Sequence, residues 1–340
     1  MGILLKSILA ILPEDEKDVV KETNIYIEGS RIASIGTKPE GFVADKIING
    51  KDRLAIPGLI NCHTHSYMSF MRNVADDLSF MDWLFGTSDP IEQKMTDEDT
   101  YWGACLAIIE MMKSGTTCFN DMQMNIHQTT RAVKESGMRA VICRGLVGSG
   151  NDEAGQMRLR QAYEERDAAA DCDRLTFLLG PHAPYTCDDG FMRIVSEEAK
   201  KNHMGIHVHL SESESEIQQI TESDMEILKN KNVSVVTNPA SNMKLGNGFA
   251  PVPAMLEKGI NVCLGTDGAA SNNSLNMFHE LSLLTLIHKG VQKTPQCVSA
   301  REGFRIATIN GARALGLEKE TGSLEAGKKA DIAILNLNTP

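Results

Sequence analysis

The segment LAIPGLINCHTH, residues 54–65, joins a run of apolar residues directly to two histidines that are one residue apart. An apolar run of this length, introduced by Pro57 and Gly58, predicts a buried β-strand. Side chains alternate along a strand, so His63 and His65 lie on one face and can converge on a single metal ion. For so short a pattern, two histidines in a solvent-facing loop are an equal alternative.

From this segment onward, short apolar runs alternate with longer amphipathic stretches. That texture is typical of βα units with a parallel sheet. The candidate strands are residues 54–63, 116–121, 139–145, 174–182, 205–210, 233–239 and 260–267. We therefore predict an α/β fold whose main domain, residues 54–324, is a metal-dependent (β/α)8 TIM-type barrel.

The strand count is one short of the eight that a closed barrel needs. Residues 211–232, SESESEIQQITESDMEILKNKN, are polar, have a helical period and contain no apolar strand-like run. We expect one βα unit of the barrel to be missing from the sequence at this place.

Residues 1–53 contain short β-like runs, and EGSR at residues 28–31 is typical of a hairpin turn. They predict a small β-sandwich domain. The last residues predict a turn and a strand, so we expect residues 325–340 to return to this domain.

The charge and cysteine content narrow the range of functions. The 340 residues include 34 Lys and Arg against 45 Asp and Glu, a formal charge of −11 that disfavours nucleic acids and anionic membranes as partners. The eight cysteines form no C-x-x-C pair, which is typical of free thiols in a reducing compartment. The apolar start is too short to span a bilayer. We expect a cytoplasmic protein.

Two further strand ends carry residues that can bind a metal. His207 and His209 repeat the H-x-H pattern, and His209 is nearer the strand end, with Glu212 three residues on. Asp267 closes the run INVCLGTD. A carboxylate at the end of a buried strand needs a cation or a donor, although a helix cap is the alternative for this aspartate. Barrel enzymes place their sites at the carboxyl ends of strands, so these residues together favour a metal centre.

The segments PGLINCHTH, GPHAPYTCD, IHVHLSE, VTNPASNMKLGNGFAPV and LGTDGAASNNSLNM resemble the amidohydrolase superfamily and, within it, the methylthioadenosine/S-adenosylhomocysteine deaminases. The resemblance implies one divalent metal, zinc or alternatively iron. It assigns the ligands to His63, His65, His209 and Asp267. It also implies that Glu212 shuttles protons.

The same resemblance supplies candidate substrate contacts. His182 of GPHAPY faces the substrate, Trp83 encloses the nucleoside and Glu92 holds ribose hydroxyls. A core position for Trp83 and a solvated Glu92 are the alternatives. Further candidates are Arg144 and Arg158 for a substrate carboxylate and Ser271 for orienting the ligand. One arginine is expected to reach across a subunit boundary, which implies a homo-oligomer.

One departure from the family concerns a histidine at the end of its sixth strand, in a segment resembling A-A-H-C-V that this sequence lacks. That segment would fall between Gln219 and Thr221. We prefer omitted residues to a true deletion, because a barrel without one strand has two unpaired edges. We therefore predict a Cα step well above roughly 3.8 Å near residues 219–221.

These features imply hydrolytic deamination of the adenine ring in S-adenosylhomocysteine, 5'-methylthioadenosine or adenosine. Metal-activated water attacks C6, Asp267 moves its proton and Glu212 protonates the ring. The alternatives are a related hydrolase acting on guanine, cytosine or a chlorinated triazine, or a non-catalytic protein that lacks the sixth-strand histidine.

Overall fold

The computed structural model describes residues 1–14, 17–150, 152–212 and 222–338. The strands in these ranges are β1 (Gly2–Glu14), β2 (Lys17–Glu28), β3 (Arg31–Ile35), β4 (Lys46–Asn49), β5 (Arg53–Pro57), β6 (Leu59–Thr64), β7 (Thr116–Gln123), β8 (Arg139–Leu146), β9 (Leu175–Pro181), β10 (Val235–Thr237), β11 (Val262–Leu264) and β12 (Ile332–Asn336). The α-helices are α1 (Asp89–Glu92), α2 (Asp97–Lys113), α3 (His127–Ser136), α4 (Glu153–Ala168), α5 (Asp189–Lys201), α6 (Glu222–Asn230), α7 (Pro239–Lys244), α8 (Val252–Glu257), α9 (Ala269–Asn272), α10 (Met277–Gln292), α11 (Ala300–Ile306) and α12 (Ile309–Ala314). A 3-10 helix (Ser66–Met71) and a π-helix (Asp82–Ser88) lie between β6 and α1.

The first five strands and β12 form one six-stranded sheet in the order β12-β5-β1-β2-β3, with β4 paired to β1. The hairpin predicted at residues 28–31 is confirmed, since β2 and β3 pair in antiparallel fashion around Gly29, which has φ +60°. This sheet encloses an apolar cluster that includes Leu5, Ile8 and Ile25.

The boundary of this sheet differs from the predicted division at residue 53. β5, which we assigned to the barrel, pairs with β1 and with β12. The chain leaves the sheet at Gly58, because the apolar run 54–63 is divided there between two sheets. The assignment of the chain to two domains stays a prediction.

The barrel wall is built from parallel strands. β6, β7, β8 and β9 form one sheet, and β10 pairs with β11. The backbone N–H groups of Thr266 and Asp267 donate to the carbonyl of His63 at 3.1 and 3.0 Å, which joins the end of β11 to β6. All six residues of β6 are buried, as expected for a parallel sheet covered on both faces.

The strand predicted at residues 205–210 is only partly formed. His207 donates to the carbonyl of Leu179 at 2.9 Å, but the pairing amounts to a single parallel bridge between Leu179 and Ile206. Among the residues given above, no backbone hydrogen bond joins this segment to β10. The prediction of a regular strand was wrong here, because only the start of the segment reaches β9 and the pairing ends after one bridge.

Among the described residues, no strand and no backbone hydrogen bond joins residues 205–210 to β10, and we call this break in the barrel wall the gap. Cavities of about 400 and 520 Å³ adjoin it, and both are lined by Ile206, His207 and Val233. Ile206, Val208 and Val233 are 43, 36 and 43% exposed. The gap lies between the predicted strands 205–210 and 233–239, where we expect one βα unit to be missing. The chain break predicted at residues 219–221 lies outside the described residues.

Helices cover the outer face of the wall. α2 and α3 pack on β7 and β8 through a cluster that includes Ile108, Met111, Phe119 and Val133. Over the described part of the chain, every helix is too short or too polar to cross a bilayer.

Candidate active site

Three histidines from distant parts of the chain converge at the carboxyl ends of the strands. His63 is the last residue but one of β6, His65 directly follows β6, and His209 lies in the segment 205–210 beside β9. One nitrogen from each ring lies within 4.8 Å of the other two. The Nε2 atoms of His63 and His209 are 3.1 Å apart. This spacing allows all three rings to bind one ion.

Backbone carbonyls fix the orientation of two of these rings. His65 donates from Nδ1 to the carbonyl of Met122 at 2.6 Å, and His209 donates from Nδ1 to the carbonyl of His182 at 2.8 Å. A carbonyl only accepts, so both rings carry their proton on Nδ1 and leave the Nε2 lone pair free. Burial and the neighbouring His63 ring lower the pKa of His65 to about 4, so this ring is neutral at pH 7.

His63 is held from behind by a second histidine. His207 lies with its Nε2 2.9 Å from Nδ1 of His63, and its Nδ1 is 3.1 Å from the amide nitrogen of Asn120. Burial lowers the pKa of His207 well below its ordinary value. His207 therefore supports His63 as a neutral ring.

Asp267 brings a carboxylate to the same place. Its Oδ1 lies 3.3 Å from Nε2 of His63 and 3.5 Å from Nε2 of His65. The residue has φ +59°, a left-handed conformation that is uncommon outside glycine. The hydroxyl of Thr64 stabilises this conformation by donating to the Asp267 carbonyl at 2.9 Å. A Cβ at Gly265 would lie 2.9 Å from the backbone nitrogen of His63, so this close approach requires glycine.

Two serine hydroxyls orient the carboxylate. Ser241 on α7 and Ser271 on α9 both donate to Oδ2 of Asp267, at 2.7 and 2.6 Å. Burial alone would raise the pKa of Asp267, but His63, His65 and the Ser271 hydroxyl outweigh it and hold the pKa well below the ordinary value. Oδ1 of the ionised carboxylate is thus left facing the histidines.

A buried glutamate ties the two serine-bearing helices together. Glu280 on α10 accepts from the backbone N–H of Ala240 at 3.0 Å and from the side-chain amide of Asn272 at 2.8 Å. Ala240 precedes Ser241, and Asn272 follows Ser271. Burial raises the pKa of Glu280 to about 7. Ser241 and Glu280 were not predicted from the sequence, although Ser241 lies in NPASNMKLG, one of the segments that carry the family resemblance.

Glu212 shares a cavity with members of the cluster, and His182 packs against His209. Glu212 lines the 400 Å³ cavity together with His63, His209 and Asp267, and its Oε2 accepts from the hydroxyl of Tyr185 at 2.6 Å. The rings of His182 and His209 have centroids 4.8 Å apart. Burial, followed by the proximity of His65, lowers the pKa of His182 to about 4.

Trp83 packs in an apolar cluster that contains Tyr67, and Glu92 is hydrogen-bonded to the same tyrosine. Trp83 is 4% exposed and donates its indole N–H to the carbonyl of Ala270 at 3.3 Å. Glu92 accepts from the hydroxyl of Tyr67 at 2.6 Å, and burial raises the pKa of Glu92. The Tyr67 ring centroid is 6.4 Å from that of His65.

The two predicted arginines are engaged within the chain. Arg144 donates to Oε1 of Glu165 at 2.8 Å and to the side-chain oxygen of Gln161 at 2.9 Å. Arg158 donates to the carbonyl of Val147 at 2.9 Å. Neither arginine contacts the histidine cluster in the described part of the chain. The sequence carried no signal for Glu165 as the partner of Arg144.

The residues that converge fit a divalent cation. Neutral imidazoles whose second nitrogen is hydrogen-bonded, together with an oriented carboxylate, form a donor set that zinc and iron both accept. His63, His65, His209 and Asp267 would hold the ion.

Comparisons with known proteins agree with this geometry. The chain is 41% identical to the 5-methylthioadenosine/S-adenosylhomocysteine deaminase of Thermoanaerobacter pseudethanolicus, over all of this chain and 86% of that protein. It is also 41% identical to the 5'-deoxyadenosine deaminase of Methanocaldococcus jannaschii, over 94% of this chain and 84% of that protein. An adenosine deaminase structure from Xanthomonas campestris with bound zinc has a TM-score of 0.91 and 29% identity, covering 99% of this chain and 85% of that one.

The family model and the alignment length both bear on the gap in the barrel wall. The alignment with the Thermoanaerobacter relative spans 373 positions, although this chain has 340 residues. The relative therefore has residues in the matched region that lack a counterpart here. The amidohydrolase family model matches residues 54–223 and 219–340, two segments that meet beside the predicted break. By this match and by its curated relatives, the chain belongs to the amidohydrolase family.

Proposed function

We propose that this chain catalyses the hydrolytic deamination of the adenine ring of S-adenosylhomocysteine or 5'-methylthioadenosine, with adenosine as a further substrate. The observation that carries the proposal is the convergence of His63, His65, His209 and Asp267 beside Glu212. Relatives named as deaminases of such nucleosides match nearly the whole chain. The enzyme class is an aminohydrolase acting on the C–N bond of a cyclic amidine.

His63, His65, His209 and Asp267 would hold a divalent cation, zinc in the first instance, which would supply a water of lowered pKa as nucleophile at pH 7. Asp267 is ionised, and its Oδ1, which faces the histidines, would accept a proton from the attacking water and pass it to the amino group, which leaves as ammonia. Protonated Glu212 would donate its proton to the ring nitrogen N1 while negative charge develops there. It would take a proton back from the new hydroxyl on C6 as the C–N bond breaks, so that the ring carbonyl forms and the carboxyl group is restored.

The remaining candidates belong to substrate binding. His182, beside His209, contacts the substrate from the β9 side. Trp83 and Glu92 bind the nucleoside. Glu92 then accepts a hydrogen bond from a ribose hydroxyl in place of the one from the Tyr67 hydroxyl. Ser271 contributes indirectly, because its hydroxyl donates a hydrogen bond that orients the Asp267 carboxylate. Arg144 or Arg158 binds a substrate carboxylate only if it gives up the hydrogen bond to its present partner.

The gap in the wall supports a second candidate, a non-catalytic nucleoside-binding protein. The cavity that contains His209 and Glu212 is bounded on one side by the exposed residues Ile206 and Val208. In the family, the missing unit carries a further histidine of the site. If this histidine is indispensable, the remaining ligands hold metal and nucleoside without turnover.

One assay separates these candidates. The zinc-loaded protein is mixed with S-adenosylhomocysteine, 5'-methylthioadenosine, adenosine, guanine, cytosine or a chlorotriazine, and ammonia or chloride release is measured. Ammonia from the adenine nucleosides supports the proposal. Release from another ring substrate alone supports a related hydrolase, and nucleoside binding without release supports the non-catalytic candidate.

We also propose that the protein acts in the cytoplasm, without nucleic acid, as a homo-oligomer. The absence of disulfides among the described cysteines supports the cytoplasmic location. The formal charge of −11 supports the lack of a nucleic-acid partner.

A further inference from the structure

Helix α2 presents an apolar face to solvent. Trp102, Leu106, Ile109 and Met112 are 52, 43, 54 and 52% exposed. Their spacing of three or four residues places them along one side of the helix. The opposite side, which includes Ala104, Ala107 and Ile108, is buried in the core. A helix that is apolar on all sides is normally covered on all sides, so this face indicates a binding surface.

The order of side chains along this face is self-complementary. A two-fold axis midway between Cys105 and Leu106 sets residue 102 of one copy against residue 109 of the other, and residue 98 against residue 113. Trp102 then packs on Ile109, and the carboxylate of Glu98 meets the ammonium of Lys113. Antiparallel pairing also opposes the two helix dipoles favourably.

We propose that α2 is the centre of a symmetric homodimer, in which two copies of the helix pack antiparallel across this axis. A two-fold interface uses the same patch on both subunits, so a patch that matches itself is the required feature. Across this axis Leu106 faces Cys105 in the middle of the face, and Met112 faces Asp99 near its ends, next to the opposite charges of Glu98 and Lys113. The proposal goes beyond the deaminase activity and assigns a surface to the expected homo-oligomer.

The exposed area agrees with a dimer of ordinary size. The solvent-exposed parts of the four apolar side chains amount to roughly 400 Å², taking about 200 Å² for a large side chain. A standard interface buries about 800 Å² on each partner, a little over half of it apolar.

The helix is held firmly enough to serve as a docking surface. Gly103 faces the 3-10 helix so closely that a Cβ there would lie 2.4 Å from the carbonyl of Tyr67. Thr96 and Asp99 form a capping box at the start of α2, and Arg72 pairs with Glu110. A face fixed in this way loses little conformational entropy on association.

Sedimentation equilibrium of the whole protein tests the proposal. We expect twice the monomer mass for the wild type and a monomer for Ile109→Asp, because an unpaired carboxylate would be buried at the interface. Leu286→Asp is the matched control, since Leu286 on α10 is 62% exposed and lies outside the face. A monomeric wild type, or an Ile109→Asp protein that remains dimeric, would overturn the proposal.

Charge exchange tests the antiparallel register. Glu98→Lys or Lys113→Glu alone sets like charges together at both symmetric positions, and we expect the dimer dissociation constant to rise about tenfold. The double variant restores the opposite charges and should return to within about threefold of wild type. Failure of the double variant to recover would rule out this pairing. The readout needs no turnover, so the dimer and the deaminase proposals are tested separately.

Discussion

Two parts of the barrel wall hold the candidate site in different ways. On the closed side, His63, His65 and Asp267 come from β6 and the end of β11, and each is fixed by neighbours on both sides. On the open side, His209 lies in the segment 205–210 and Glu212 just after it, and among the described residues the backbone of this segment bonds only to β9 and to His182. One of the four metal ligands, His209, and the proton-transfer residue Glu212 therefore have less backbone support than the other three ligands.

The largest expected effect is loss of the metal from the closed side. In His65→Ala, we expect bound zinc to fall sharply and kcat/KM to drop by roughly a thousandfold or more, because the metal contributes several kcal/mol of charge stabilisation. Metal analysis and ammonia release measure the two effects. His127→Ala, an exposed histidine on α3, is the control and should keep its zinc. Full zinc retention in His65→Ala would contradict the ligand assignment.

Glu212→Gln tests the open side. The metal ligands are unchanged, so zinc should remain bound while kcat falls by roughly a hundredfold or more, the usual effect of removing a positioned acid or base. Glu222→Gln, on the surface of α6, is a matched carboxylate control. An unaltered kcat in the Glu212 variant would remove it from the proton-transfer step.

The buried carboxylate of Glu280 gives the closed side a pH dependence. Its folded pKa of about 7 lies above the ordinary value of 4.5, so its contribution to stability is greatest below about pH 4.5 and is lost as the pH rises through 7. A shift of this size corresponds to about 3 kcal/mol. Between pH 4.5 and 8, the unfolding free energy of the wild type should therefore fall by about 3 kcal/mol more than that of Glu280→Gln.

Urea unfolding of the two proteins across that range measures the difference. Asp121, whose pKa burial also raises to about 7, is present in both proteins and cancels from the comparison. If the unfolding free energies of the wild type and the variant change equally with pH, folding does not raise the pKa of Glu280.

The smallest expected effect is a difference in how fast backbone amides on the two sides of the wall exchange with deuterium. The N–H of His207 is bonded to Leu179 at 2.9 Å, yet its segment has no partner on the other edge among the described residues. We expect this amide to exchange with deuterium faster than those of β8, which is paired on both sides. Inserting the relatives' additional residues at 219–221 should slow it. Equal protection in the original chain would mean that the open side is as stable as the closed one.

Much of the architecture followed from local patterns. The apolar strands at residues 116–121, 139–145 and 174–182 appear as β7, β8 and β9, because alternation of apolar runs with amphipathic stretches reflects burial on both faces of a parallel sheet. The segments at 233–239 and 260–267 shorten to three-residue strands. Residues 205–210 do not form a regular strand, since pairing depends on how tertiary packing aligns a segment with its neighbour, and here the alignment with β9 gives one bridge only.

The sequence by itself determined the family, the barrel and the residues that meet at the site, because an H-x-H at a strand end fixes which face two side chains share. Only the tertiary structure decided what holds them. Carbonyls of Met122 and His182 orient two rings, and Ser241 reaches Asp267 from another helix. Backbone carbonyls occur at every residue, and contacts between distant helices depend on packing, so neither leaves a local pattern to detect.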